Sequence, residues 1–304
     1  MGYFWNTNTK MGILQKWLRG FENNSKITFF VRNSLSMPNS SPIGIFDSGI
    51  GGLTLAHAIT ELMPQEPIIY FGDTAHLPYG DKSATAIQAY SVKICNLLLE
   101  KNCKLILIAC NSASAAAYDL VKAYVGTKAI VVNVIDPVID YLGEQMQSRT
   151  LGLIGTKQTV NSGIYARKAT ALNKQIQIKS LATPLLAPMI EEGFFSKTIS
   201  EQIIREYLVQ PALADIDGLI LGCTHYPLIK KQIEEFYQGK VQVIDTSQIV
   251  AQEIKRILTD QDLLNPGVEG TRQFFVSDYT DSFEKSTQLF FGETIKLTQY
   301  PIWD

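Results

Sequence analysis

Residues 43–53 of this 304-residue chain have the sequence IGIFDSGIGGL, which gives the first indication of the fold class. Four apolar or small residues are followed by Asp47 and Ser48, then by a glycine-rich turn and a segment of helical composition. This order is typical of a buried strand of a parallel sheet that ends in a loop before a helix. Ligands of such proteins bind at the carboxyl ends of the strands, so the polar residues directly after each strand are candidates for a site.

The same order recurs along the chain after residue 42. Predicted helices cover 84–101, 196–214 and 249–259. Predicted strands cover 43–46, 68–71, 105–109, 130–134, 151–154, 176–181, 218–221, 241–244 and 273–276. Strands that alternate with helices in this way indicate βαβ units and therefore an α/β fold with mostly parallel sheets.

Two pairs of similar segments indicate that the α/β unit is duplicated. LILIACNS (105–112) and LILGCTHY (219–226) each combine an apolar strand with a small residue, a cysteine and two polar residues. The two cysteines are 113 residues apart, and IGIF (43–46) resembles LGLI (151–154) at an offset of 108 residues. We therefore expect two similar doubly wound α/β domains, with an active site in the cleft between them and one cysteine on each wall.

Composition and charge narrow the class of protein. Hydrophobic residues make up 46% of the chain and the formal net charge is −2, which excludes general disorder and argues against nucleic acid as the main partner. No apolar run reaches the roughly 18 residues that cross a bilayer. The four cysteines lack C-x-x-C spacing, so neither a disulfide framework nor a standard zinc site is expected. These features predict a cytoplasmic protein with no membrane partner and no metal.

Cys110 and Cys223 are the candidates for catalysis. A thiol between a parallel strand and a helix lies near backbone N–H groups and the positive helix end, which favour the thiolate. Two such thiols fit a symmetric task, in which one removes a proton from a carbon and the other protonates the opposite face. The alternative is that both are small core residues, which is our interpretation of Cys95 and Cys103.

The glycine loop predicts a small anionic ligand. Thr54 stands where a dinucleotide fingerprint would need its third glycine, and there is no Walker motif. Tight turns in this loop would present N–H groups to an anion, whereas Asp47 is a candidate partner for an ammonium group or, alternatively, a helix cap. Carboxylates of the ligand could accept hydrogen bonds from Ser48, Asn111, Ser112 and Thr224.

The runs IGIFDSGIGG, YFGDTAHLPYG, ACNSASA and GLILGCTHYPL resemble those of the bacterial glutamate racemases. The resemblance covers nearly all of residues 42–302. It implies interconversion of L- and D-glutamate without a cofactor, which supplies D-glutamate for peptidoglycan synthesis and cell wall biogenesis. Together with the repeat, it implies a first domain of residues 43–134 plus 246–304 and a second of residues 135–245.

The resemblance also assigns residues. It implies that Cys110 and Cys223 are the acid/base pair, that Asp47 assists Cys110, that His225 assists Cys223 and that Glu191 is an additional acid of the cleft. The implied substrate contacts are Asp47, Ser48, Tyr79, Gly80, Asn111, Ser112, Thr224 and His225. One departure from the family is Ser112, where threonine is usual; the hydroxyl is retained, so its hydrogen bonding should be as well.

Residues 1–42 are predicted to be a flexible N-terminal extension. They carry a formal charge of +4, whereas the rest of the chain carries −6. Met37 is then the natural start, and a targeting or regulatory arm is the alternative. Some members of the family use such an extension to sense a cell-wall precursor, so an activator of this kind and a homodimer are the partners we consider.

Two other functions are open at this point. Aspartate racemases and related two-cysteine racemases share the expected architecture, but usually carry an acid where His225 stands. A non-catalytic amino-acid-binding or regulatory protein is the second alternative, since some glutamate racemases are associated with inhibition of DNA gyrase. A simple binding protein would not need two symmetric thiols.

Overall fold

Ten strands form two sheets in the part of the chain that the structure describes. The structure is a computed structural model, and it describes residues 37–195 and 198–303. In chain order the strands are β1 (Ile43–Asp47), β2 (Ile68–Gly72), β3 (Leu105–Ile108), β4 (Ile130–Asn133), β5 (Thr150–Gly155), β6 (Gln177–Ala182), β7 (Gly218–Gly222), β8 (Gln242–Ile244), β9 (Arg272–Val276) and β10 (Thr298–Gln299). All their pairings are parallel. Helices cover both faces, so β1, β2, β3 and β7 are entirely buried.

The two sheets repeat one strand order. The first sheet is ordered β10-β9-β2-β1-β3-β4, and the second is ordered β6-β5-β7-β8. The strands β2-β1-β3-β4 thus correspond to β6-β5-β7-β8, and the strand before Cys110 is the counterpart of the strand before Cys223. The predicted α/β fold class with parallel sheets is confirmed, and the offset between the two cysteine motifs has a topological basis.

Helices connect the strands. Some begin at side-chain caps: Ser83 accepts a hydrogen bond from the Ala86 amide at 3.2 Å, and Asp245 accepts one from the Ser247 amide at 2.9 Å. The helices are α1 (Leu53–Leu62), α2 (Ala84–Glu100), α3 (Asn111–Val125), α4 (Asp136–Gln145), α5 (Lys157–Asn161), α6 (Ile164–Ala171), α7 (Leu186–Glu191), α8 (Thr198–Leu208), α9 (Lys230–Tyr237), α10 (Thr246–Asp260) and α11 (Asp281–Phe291). Over the described residues, none of them has the length and apolar character needed to cross a membrane.

The two sheets share part of their apolar core. Side chains alternate between the two faces along β1, so Ile45 and Phe46 belong to different clusters. The cluster around Ile45 continues through the second sheet and includes Leu153 of β5. Strands before residue 134 and after residue 271 form the first sheet, and those between residues 150 and 244 form the second. This division supports the predicted domains, whose boundaries stay a prediction.

A hydrogen bond from Lys104, directly before β3, connects the amino-terminal part of the folded unit to the first sheet. The chain divides between Ser36 and Met37. Lys104 is fully buried, and its ammonium donates to the carbonyl of Asn39 at 2.5 Å and to that of Leu263 at 2.7 Å, while Glu66 lies 2.6 Å away as an ion-pair partner. Residues 1–36 of the predicted extension lie outside the described residues, so its flexibility stays a prediction.

One predicted element needs correction, and one strand was missed. The helix predicted over 196–214 ends at Leu208, and a short 3₁₀ helix begins at Pro211, which cannot continue an α-helical hydrogen-bond pattern. Residues 196 and 197 of that prediction lie outside the described residues. Strand β10 was not predicted because two residues show no periodicity.

Candidate active site

The carboxyl ends of five strands open onto one cavity. Its walls come from the loops after β1, β2, β3, β5 and β7 and from helix α7. The lining residues are Ser48, Pro78, Tyr79, Gly80, Cys110, Asn111, Ser112, Thr156, Ala187, Pro188, Glu191, Cys223, Thr224 and His225. Both candidate cysteines therefore face the same space, as do all the predicted site residues except Asp47.

Cys110 precedes helix α3 and is almost completely buried. Its sulfur donates a hydrogen bond to Ser48 Oγ at 3.7 Å. Burial and then the nearby negative charge of Asp47 raise the pKa of the Cys110 thiol to about 12, against smaller opposing effects of the Ala113 amide and of Ser48. In this state of the site Cys110 is a neutral thiol and thus a proton donor.

Cys223 has a different set of neighbours. His225 Nδ1 lies 3.5 Å from its sulfur, and His225 Nε2 lies 2.8 Å from Glu191 Oε1. Burial lowers the pKa of His225, but the negative charges of Cys223 and Glu191 outweigh this effect, and the pKa lies well above its usual value. The protonated imidazole can therefore stabilise a thiolate on Cys223.

Asp47 lies behind the glycine loop. It is fully buried, and its Oδ2 accepts hydrogen bonds from the amides of Gly49 at 3.2 Å and Gly52 at 3.0 Å. Burial raises its pKa, although the positive charge of His225 and the loop amides oppose this effect. Asp47 is not among the residues that line the cavity, so its predicted contact with the substrate stays a prediction. The negative charge of its carboxylate raises the pKa of the Cys110 thiol, and the predicted assistance to Cys110 stays a prediction as well.

Hydrogen bonds join the walls that belong to different sheets. Ser112 and Thr156 are linked through their hydroxyls at 2.8 Å, and Tyr165 donates to Asn111 Oδ1 at 2.8 Å. The Ser112 hydroxyl thus contacts the opposite wall, and its predicted hydrogen bond to the substrate stays a prediction. Thr156 was not among the predicted site residues, although it follows β5 directly and the rule of reading strand ends would have identified it.

A duplicated α/β fold with a thiol after the equivalent strand of each half defines the class of the two-cysteine isomerases. Residues 53–254 match the Asp/Glu/Hydantoin racemase family, and the chain belongs to this family.

The relatives of the chain are consistent with this membership. Glutamate racemase 3 of Caldanaerobacter subterraneus subsp. tengcongensis is 39% identical over 243 residues, which are 80% of this chain and 88% of the relative. The crystal structure of glutamate racemase from Francisella tularensis in complex with D-glutamate is 36% identical with a TM-score of 0.81, and the match covers 87% of this chain and 99% of that one. Escherichia coli glutamate racemase, solved with L-glutamate and the activator UDP-MurNAc-ala, shares the fold at 24% identity and a TM-score of 0.67, with 82% and 95% covered.

Proposed function

We propose that the chain is a glutamate racemase that removes the α-proton from one face of glutamate and returns a proton to the other. The observation that carries this proposal is the pair of thiols, Cys110 and Cys223, which lie at equivalent strand ends and line one cavity. The D-glutamate bound by the Francisella tularensis relative supports the choice of substrate. The product D-glutamate would enter peptidoglycan synthesis.

The two thiols differ in a way that suits the reaction from L-glutamate. Cys223 has the protonated His225 beside it and is the base, while Cys110 is the neutral thiol and is the acid. In the reverse direction the roles exchange, so Cys110 removes the proton of D-glutamate. The positive charge of the substrate's ammonium group would then lower the pKa of a nearby thiol.

The carbanion-like intermediate is stabilised by fixed dipoles. Asn111 and Ser112 begin helix α3, so the free N–H groups of its first turn favour a substrate carboxylate. Thr224 adds a hydroxyl donor, and the Thr54 hydroxyl lies 3.0 Å from its backbone carbonyl and 3.0 Å from that of Gly51. Such preorganised donors are the protein's means of lowering the barrier.

The proposal also includes a cytoplasmic location and two partners. All four cysteines are free thiols, which supports a reducing compartment such as the cytoplasm. The Escherichia coli structure with the activator UDP-MurNAc-ala supports an activator. That activator and a homodimer both stay predictions for this chain.

The proposed activity is tested by circular dichroism at one wavelength, with the purified protein on D-glutamate and, separately, on L-glutamate. We expect both signals to decay to zero without added pyridoxal phosphate. Aspartate serves as the comparison substrate, because the related two-cysteine racemases act on it. Decay with aspartate alone would contradict the proposed substrate, and no decay with either amino acid would contradict the activity.

A further inference from the structure

A buried carboxylate outside the two-thiol machinery holds one wall of the cavity in place. Asp73 follows β2 directly and is fully buried. Tyr79, which lines the cavity, donates its hydroxyl to Asp73 Oδ2 at 2.6 Å. Burial and the negative charge of Asp73 raise the pKa of Tyr79, so the hydroxyl keeps its proton and donates. This proton is therefore engaged by Asp73 and is not free for a substrate.

Three more donors converge on the same carboxylate. Ser277 Oγ and Trp303 Nε1 each donate to Asp73 Oδ1 at 2.8 Å, and His76 Nδ1 lies 3.0 Å from Oδ2. Ser277 in turn accepts the amide of Ala75 at 2.9 Å, which leaves its hydroxyl proton for Asp73. An ionised carboxylate has about four lone-pair positions, so these four donors fix its orientation.

The donors come from separate parts of the chain. Tyr79 belongs to the loop after β2, Ser277 follows β9, and Trp303 lies beyond β10. The ring of Trp303 also makes edge contacts with His76 at 4.5 Å and with Tyr90 at 5.4 Å between centroids. The segment after β10 is thus connected to the cavity wall by the hydrogen bond of Trp303 to Asp73 and by these ring contacts.

We propose that Asp73 is a positioning residue for substrate binding, which holds Tyr79 and the adjacent Gly80 at the cavity wall, and that Trp303 orients Asp73 for this task. The proposal rests on the proposed function, because it assigns that wall to the glutamate site. Gly80 packs closely against Thr156 of the opposite wall: a Cβ on Gly80 would lie 2.8 Å from Thr156 Cβ. A shift of Tyr79 would therefore change the width of the cavity at Gly80.

Substitutions that displace this wall are expected to change KM. The wall contacts the substrate before and during the reaction, and loss of such uniform binding raises KM while kcat changes little. We expect Tyr79→Phe, which keeps the ring and removes the hydroxyl, to raise KM for both enantiomers about tenfold, within the range that misplaced binding groups produce. Asp73→Asn should do the same, and Trp303→Phe should raise KM by a smaller factor.

The test combines steady-state racemisation with a double variant. If Asp73 acts through Tyr79, the Asp73→Asn/Tyr79→Phe protein should have the same KM as the worse single variant. Tyr124→Phe is the matched control: Tyr124 donates to Asn96 Oδ1 at 2.9 Å on the surface, so KM should stay at the wild-type value. If Asp73 and Tyr79 were merely structural, their substitution would lower the melting temperature and the fraction of active protein. The apparent kcat would then fall while KM stayed unchanged.

Failure of the proposed role of Asp73 can be distinguished from failure of the proposed racemase activity. Suppose that the wild-type protein racemises glutamate. Either a wild-type KM in Tyr79→Phe or KM effects that multiply in the double variant would then overturn the proposed role of Asp73, while the proposed function would stand. If Asp73→Asn does not fold, Tyr79→Phe and Trp303→Phe still decide the question. If the wild type neither racemises nor binds D-glutamate in a calorimetric titration, the proposed function and this inference fail together.

Discussion

At the scale of single residues, Glu191 adds to the effect of Cys223 on the charge of His225. The Glu191 carboxylate lies 2.8 Å from His225 Nε2 and contributes to the raised pKa of this imidazole. Glu191→Gln removes the negative charge, so the pKa of His225 should fall. Since a protonated His225 stabilises the Cys223 thiolate, kcat/KM for L-glutamate should begin to decline at a lower pH than in the wild type. We expect a loss of about tenfold at pH 8, which corresponds to about 1.4 kcal/mol.

The measurement is the pH profile of kcat/KM for L-glutamate in the two proteins. Glu192→Gln is the matched control, because Glu192 is adjacent in sequence and exposed. Its profile should coincide with that of the wild type. An unchanged basic limb in Glu191→Gln would show that this carboxylate does not set the protonation of His225.

At the scale of elements, the loop between β1 and α1 is packed against the loop after β7. A Cβ on Gly51 would collide with the His225 ring, 2.6 Å from Nδ1, and would lie 2.7 Å from Thr224 Oγ1. Gly51→Ala should therefore displace His225, reduce kcat/KM at least about tenfold and lower the free energy of unfolding by about 1–3 kcal/mol. Steady-state kinetics and urea unfolding test this.

The same loop supplies the control for that substitution. A Cβ on Gly49 would meet no atom closer than 3.7 Å, so Gly49→Ala should keep most of the activity and the stability. Equal losses of activity and stability in Gly51→Ala and Gly49→Ala would contradict this prediction. They would show that any added side chain in the loop is harmful, whether or not it contacts His225.

The elements also show which parts of the molecule could be predicted from the sequence. Strands such as β1 and β7 were predictable because a fully buried parallel strand is an uninterrupted apolar run. Cys110 and Cys223 were found since each follows such a run. The position of Asp47 behind the cavity could not be read in this way, because it depends on how residues 49–52 fold over its carboxylate. The network around Asp73 could not be predicted either, since its donors lie up to 230 residues from Asp73 along the chain.

At the scale of the whole molecule, the folded unit needs the residues just before β1. A chain that starts at Met37 keeps the carbonyl of Asn39 as an acceptor for the buried ammonium of Lys104. We expect it to racemise glutamate as the full chain does. A chain that starts at Pro42 loses this acceptor, and its free energy of unfolding should fall by about 1–3 kcal/mol.

Urea unfolding and the racemisation assay on both shortened chains check this prediction. Equal stability of the two would show that the contact of Lys104 with Asn39 contributes little. Loss of all activity in the chain that starts at Met37, with the fold retained, would instead show that residues 1–36 complete the site.

In the proposed mechanism each half of the molecule supplies one base, and inversion of glutamate requires both. The most direct test is deuterium uptake at the α-carbon in heavy water, measured separately from D- and L-glutamate in Cys223→Ser and Cys110→Ser. A serine hydroxyl ionises far less readily than a thiol, whose usual pKa is about 8.5. We predict that neither variant racemises glutamate. Cys223→Ser should still exchange the α-proton of D-glutamate but not that of L-glutamate, and Cys110→Ser should still exchange that of L-glutamate but not that of D-glutamate. Cys95→Ser, a buried thiol away from the cavity, should racemise in both directions. Near-normal racemisation in both directions by Cys223→Ser would contradict the two-base account.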